Sequence, residues 1–212
     1  MRILVAGANG KVARRLLPLL VERGHTVRAL IRDPVQAPTM REAGAEPMTG
    51  DLEDDCGEAV AGCDAVFFCA GSGPHTGPDK TLDVDRDGAV RLIDAAVAAG
   101  VPRFIMLSAM RTEAIETAPE KLRHYLRAKK AADDYLRRTD LDWRIVKPGR
   151  LTDEPPRGRV RAAESLAGEY GEIPRADAAA VLAAVLEAPS AMRRQIECIG
   201  GDTPIDEAVA AL

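Results

Sequence analysis

Short apolar runs alternate with longer amphipathic stretches from Met1 to about Arg150, and no other feature limits the fold so strongly. Arg2 to Ala6 is nearly all apolar, and Val12, Leu16, Leu17, Leu20 and Val21 then recur at helical spacing until Gly24. The pattern repeats with Thr26 to Ile31 and a helix near Val35 to Ala43. A run before Gly50 follows, then Ala65 to Cys69 and a helix expected from Leu82 to Ala99, closed by Gly100. "RFIMLS", a helix from about Glu120 to Arg138 and "WRIVKPG" complete the series. Runs this continuous do not suit a sheet that is wet on one face. Strands joined through helices run parallel with right-handed crossovers, so the expected architecture is α/β: a doubly wound parallel sheet flanked by helices.

Pro18 falls inside the first helix, removes the bond to the Arg14 carbonyl and is expected to bend it. Past Arg150 the pattern loosens. "TDEPPRGR" reads as a Pro-rich turn, "ADAAAVLAAVLEA" as a helix, "QIECIG" as a short strand and "TPIDEAVAAL" as a closing helix. About 60 residues are too few for an independent domain. We therefore read 1–212 as one domain, with residues 151–212 forming a small C-terminal cap over the carboxyl edge of the sheet.

The 212 residues are 46% hydrophobic, enough for a single globular core. The formal net charge is -4 and both signs are mixed along the chain, so nucleic acid is not the expected partner. No apolar run reaches the roughly 20 residues of a membrane span, and the first residues read as a buried strand rather than a basic leader. The expectation is a cytoplasmic protein, monomer or homodimer. Cys56, Cys63, Cys69 and Cys198 lack the paired spacing of a zinc site and read as reduced structural thiols, so no metal is expected.

The turn after the first strand carries the first functional signal. In such sheets ligands bind outside the carboxyl ends of the strands, where a helix start offers N–H groups to an anion. Gly7, Ala8, Asn9 and Gly10 occupy that turn, Lys11 and Val12 lead into the helix, and Gly7, Asn9, Gly10, Lys11 and Val12 are expected to bind the cofactor. The spacing is G-x-x-G-x-x-A: Gly7 for the tight turn, Gly10 for close approach to a pyrophosphate, Ala13 for helix–strand packing. "LIRDP" ends the second strand, so Arg32 stands where a guanidinium can pair with a 2'-phosphate, and Asp33 where a carboxylate can accept from a 2'-hydroxyl. Arg32 comes first, which favours NADP over NAD. Asp51 and Leu52 in "GDLED" are placed to bracket an adenine, and Ala70, Gly71 and Ser72 in "CAGSGP" let a ribose approach the backbone.

Tyr125 and Lys129 in "HYLRAK" lie four apart on one helical face. An ammonium beside a phenol favours the phenolate, lowers the Tyr pKa and lets the hydroxyl exchange a proton with a carbonyl or alcohol. With "GANGKVARRLL", "DAVFFCAGSGPHTGPDKT", "RHYLRAKKAADDYL" and "DWRIVKPGRLTDE", the chain resembles atypical, single-domain members of the short-chain dehydrogenase/reductase superfamily. Within it, the chain is similar to bacterial proteins described as sugar epimerases or reductases, and more distantly to flavin and biliverdin reductases and NmrA-like proteins.

The resemblance implies a Rossmann fold, a nicotinamide cofactor, Tyr125 and Lys129 as the catalytic pair, and Lys129 also on the nicotinamide ribose. It places Pro148 and Gly149 of "KPGRL" beside the nicotinamide, and His75 and Lys80 near the same end. The superfamily's catalytic serine follows the fifth strand; here "LSAM" offers Ser108 for that role or leaves Ala109 in its place. The function implied is NADP-dependent oxidoreduction of a small carbonyl, alcohol or sugar-like substrate. The alternatives are sugar epimerisation or dehydration on a retained cofactor, and NADP(H) sensing without turnover.

Overall fold

The computed structural model describes residues 1–71 and 81–212. Its first half runs β1 (Arg2–Ala6), α1 (Ala13–Glu22), β2 (Thr26–Ile31), α2 (Ala37–Glu42), β3 (Glu46–Thr49), α3 (Gly57–Val60) and β4 (Ala65–Phe68). A π-helical segment (Leu82–Gly88) then winds into α4 (Ala89–Ala98), followed by β5 (Arg103–Leu107), α5 (Glu120–Arg137) and β6 (Asp142–Pro148). The remainder is β7 (Arg150–Thr152), β8 (Arg159–Ala163), β9 (Glu172–Pro174), α6 (Arg175–Glu187), β10 (Arg194–Gly200), β11 (Thr203–Pro204) and α7 (Ile205–Ala210).

The central sheet has nine strands in the order β11-β8-β10-β6-β5-β4-β1-β2-β3. From β3 through β10 every pairing is parallel, and β8 and β11 close the far side antiparallel. The expected doubly wound sheet is therefore present, and its period-2 side chains divide the core. Ile3, Val5, Phe67 and Ile105 enter one layer, covered by α1, α6 and α7, while Leu4, Ala6, Phe68, Phe104 and Met106 enter the other, beneath α4 and α5. The outermost strands are short, and each contains a proline, Pro47 in β3 and Pro204 in β11.

Residues 151–212 hold more strand than the sequence suggested. β8, β10 and β11 lengthen the main sheet, α6 packs against α1, and β7 pairs with β9 in a separate two-stranded ribbon. β7, β8 and β9 escape a periodicity reading because they are three to five residues long and lie among Pro, Gly and Arg. α1 runs through Pro18 without ending. The helix expected over 82–99 is present, but its first seven residues are wound as a π-helix, which turns Val84, Asp85 and Gly88 inward.

Helix α6 is buried nearly all round, with Val181, Leu182, Val185 and Leu186 at zero exposure. Leu182→Ala is expected to lower the unfolding free energy by about 2–5 kcal/mol in urea titrations, the range for removing a core leucine.

Candidate active site

The strand order reverses between β1 and β4, so a crevice opens outside their carboxyl ends. The chain leaves β1 through Gly7 at φ +74°, and a Cβ there would lie 2.5 Å from the Ala70 Cα. Only glycine fits, because both the left-handed backbone and the close approach forbid a side chain. Gly7, Asn9, Gly10, Arg32, Asp51, Leu52, Ala70 and Gly71 line a single cleft, joined by Gln36 and Val84. No side chain caps α1, and within its first turn the N–H groups of Arg14, Arg15 and Leu16 donate to the Gly10 and Val12 carbonyls. Asn9 is held in place by the Arg14 guanidinium, whose Nε donates to Oδ1 at 2.9 Å.

Arg32 is exposed at the mouth of this cleft, without an ion pair among the described residues. Asp33 is used elsewhere: its Oδ1 accepts from the Val35 N–H at 2.9 Å and caps the turn at Pro34–Gln36. Asp51 Oδ1 likewise accepts from the Glu53 N–H, at 3.1 Å.

Five of the residues expected at the cofactor do not line this cleft: Lys129 on α5, described below, and four others. Lys11 Nζ turns to Asp153 Oδ2, 3.1 Å away, and Val12 is buried in the core. Pro148 is buried at the end of β6, and the missing side chain of Gly149 is accounted for by the Gly171 carbonyl, packed directly against it. Ser72, His75 and Lys80 lie outside the described residues.

On α5, Tyr125, Lys129 and Asp133 repeat every four residues and form one inward stripe. Lys129 is 2% exposed. Its Nζ lies 3.9 Å from Asp85 Oδ1 and 5.2 Å from the Phe68 ring centre. Asp133 is fully buried; it accepts from Ser108 Oγ at 2.8 Å and faces Lys147 Nζ at 3.5 Å. Lys147 Nζ in turn donates to Glu113 Oε1 and Gln195 Oε1, each at 3.0 Å. The network thus runs from the centre of the fold to the surface.

Two expectations change. The Ser108 hydroxyl donates to Asp133 Oδ2, so its proton points into this network. The Tyr125 phenol is pushed up, first by burial and then by the Asp85 and Asp133 carboxylates and Tyr170, the reverse of what the Lys129 ammonium alone would do. Asp85, Asp133, Lys147 and Glu113 are the residues that sequence reasoning missed. Asp133 was within reach, since it continues the Tyr125–Lys129 spacing; Asp85 was not, because the π winding that turns it inward has no periodic signature.

Among the described residues no cluster of His, Cys, Asp or Glu is arranged to hold a metal ion, and no helix is long and apolar enough to cross a membrane. A glycine turn at the reversal point of a parallel sheet, with an uncapped helix start above it, defines a dinucleotide-binding protein of the Rossmann kind. The chain belongs to the NAD(P)H-binding family, whose pattern matches residues 7–189. It is 41% identical over 216 residues, covering both chains completely, to YhfK of Bacillus subtilis (strain 168), named an uncharacterized sugar epimerase. A Bacillus halodurans structure under the name of an NAD-dependent epimerase/dehydratase superposes with a TM-score of 0.97, at 44% identity and full coverage of both chains. ChuY of Escherichia coli O157:H7, described as an anaerobillin reductase, gives 0.81 at 25% identity, over 95% of this chain and 98% of its own. The protein is accordingly an NAD(P)-dependent enzyme of the oxidoreductase or epimerase type.

The outer end of the network has a pH signature. Burial by itself would raise the Glu113 carboxyl, but hydrogen bonds and charge from Lys130 and Lys147 outweigh it and hold the group at about 2, down from 4.5. A depressed carboxyl stabilises the fold above its unfolded pKa, and that contribution fades as pH falls through the folded one. Glu113→Gln should therefore melt below the wild type at pH 7, with the gap closing between pH 4.5 and 2 in thermal scans.

Proposed function

We propose that the protein is an NADP-dependent oxidoreductase of small carbonyl, alcohol or sugar-like substrates, with Tyr125 exchanging the proton and Lys129 beside it. One observation carries this reading: Gly71 belongs to both halves of the site. It lines the nucleotide cleft, and a Cβ on it would meet Asp85 Oδ1, the partner of Lys129, at 3.2 Å. The glycine-lined cleft and the Tyr125–Lys129 pair are thus separated only by the turn that follows β4.

The residues present fit a dinucleotide. Gly7 and Gly10 leave the backbone bare where a pyrophosphate approaches, Asp51 and Leu52 flank the adenine side, and Ala70 and Gly71 admit a ribose. Arg32 supports NADP, since a free guanidinium suits a 2'-phosphate and Asp33 is already occupied as a cap. Lys129 would hold the second ribose. When bound, the nicotinamide supplies or accepts the hydride. The chain's own part is to orient the substrate oxygen at Tyr125 Oη and move one proton there.

Sugar epimerisation, suggested by the name of the Bacillus subtilis relative, is the second reading. It uses the same residues, but Tyr125 must take a proton and then return it, with no net consumption of cofactor.

Titration with NADPH and NADH, followed by nicotinamide fluorescence, tests the cofactor assignment. Arg32→Ala should weaken NADPH by about 1–3 kcal/mol, the scale of a charge-assisted contact, and leave NADH unchanged. Equal loss for both would remove the NADP assignment. Tyr125→Phe should keep NADPH binding while turnover against a panel of aldehydes, ketones and nucleotide sugars falls by about 100-fold or more; undiminished turnover would refute the role given to Tyr125.

A further inference from the structure

The chain that leaves β5 keeps pairing with β6 beyond the end of the strand. The Ser108 N–H donates to the Val146 carbonyl at 2.8 Å and the Met110 N–H to the Pro148 carbonyl at 3.2 Å. Arg111 is the first residue past this edge. It adopts φ +69°, a left-handed backbone that a long side chain rarely takes and that persists only where its surroundings hold it. Its guanidinium lies over the Tyr170 ring, 3.9 Å from the centre. Tyr170 is fixed to the same end of β6, because the next residue, Gly171, packs against Gly149 and its carbonyl accepts from the Arg150 N–H at 2.9 Å. Beside the pair, Met110, Leu166 and Ile199 form a small apolar cluster separate from the two main core layers.

Both side chains can be reached from outside: Arg111 is half-buried and Tyr170 is 41% exposed. Arg111 has no ion pair among the described residues. The carboxylates that flank it and its ring in the chain are engaged elsewhere. Glu113 accepts from Lys130 at 2.8 Å and from Lys147 at 3.0 Å, Glu169 pairs with Arg161, and Glu172 pairs with Arg150. A guanidinium stacked on an aromatic ring keeps its N–H donors at the edge of the fork, where they match the oxygens of a carboxylate or phosphate, while the ring shields one face from water.

We propose that Arg111, braced on Tyr170, is a specificity-determining residue that holds a carboxylate or phosphate group of the substrate, so that the compound turned over at this site is an anion. This rests on the oxidoreductase reading above and adds a substrate class to it. Topology places the pair on the right side of the sheet. Each crossover helix of a parallel sheet starts at the carboxyl edge, outside which ligands bind, and returns towards the amino edge. α5 therefore begins at the edge where Arg111 and Tyr170 sit, and Tyr125 lies in its second turn. Tyr170 is close enough to contribute to raising the Tyr125 phenol. An oxyanion clamped at Arg111 directs the other end of a small molecule towards Tyr125.

The test uses the whole chain saturated with NADP+, so that the anion positions of the nucleotide cleft are filled, and dialysed to equilibrium against radiolabelled succinate or orthophosphate. One saturable site per chain is expected for at least one probe; tighter succinate assigns the site to a carboxylate, tighter orthophosphate to a phosphate ester. Arg111→Gln should weaken that site by about 10-fold or more, and Arg111→Lys by less, since it keeps the charge and loses the fork. Tyr170→Ala should also weaken it, whereas Tyr170→Phe, which keeps the ring, should not. No saturable binding of either probe by the wild type, or wild-type affinity in an Arg111→Gln protein shown to be folded by circular dichroism, would overturn the proposal. The wild-type measurement decides even if no variant folds. Failure of the functional reading would show separately, as absent NADPH binding or as turnover that survives Tyr125→Phe.

Discussion

Taking an ammonium or a carboxylate out of water costs several kcal/mol even after the protein relaxes, and this fold buries four ionisable groups within one cluster, where burial pushes the Asp133 carboxyl up. Such a cluster persists only if every member is answered by another. Lys129 is answered by Asp85, and Asp133 by Ser108 and Lys147; Lys147 reaches outward to Glu113 and Gln195. β4, β5, β6, α5 and the π-helical segment must all be in register before these charges meet. A hydrophobic cluster of the same volume would stabilise the fold as well or better. Lys129, to which we assign a cofactor role, is itself one of its members.

The nucleotide half of the site depends on a different constraint, the contact of Gly7 with Ala70. It draws the exits of β1 and β4 together at the point where the strand order reverses, and leaves a shelf of bare backbone. One half of the site is therefore built from absent side chains, the other from buried charged ones. Gly71 separates them by the width of a single turn.

The fold was legible because its signals are periodic. Apolar runs such as Arg2–Ala6 and Ala65–Phe68 and the heptad-like faces of α1 and α5 need only spacing to be read. The cleft was legible for the same reason: Gly7, Gly10, Arg32, Asp51 and Gly71 follow strand ends whose positions spacing had set. What spacing does not encode is partnership. Nothing in the spacing shows that the Ser108 hydroxyl donates to Asp133, that Lys11 pairs with Asp153 or that Gly171 packs on the open side of Gly149. Each depends on a residue distant in the chain or on the winding of a helix, neither of which leaves a local trace.

The prolines at the two margins of the sheet reach beyond the protomer. β3 presents Pro47 and β11 presents Pro204, so at each margin a main-chain donor is missing where an incoming strand would seek one, and β11 is only two residues long. The sheet is thereby finished at both ends. Neither outer strand therefore offers a full row of main-chain donors on which a second sheet could continue.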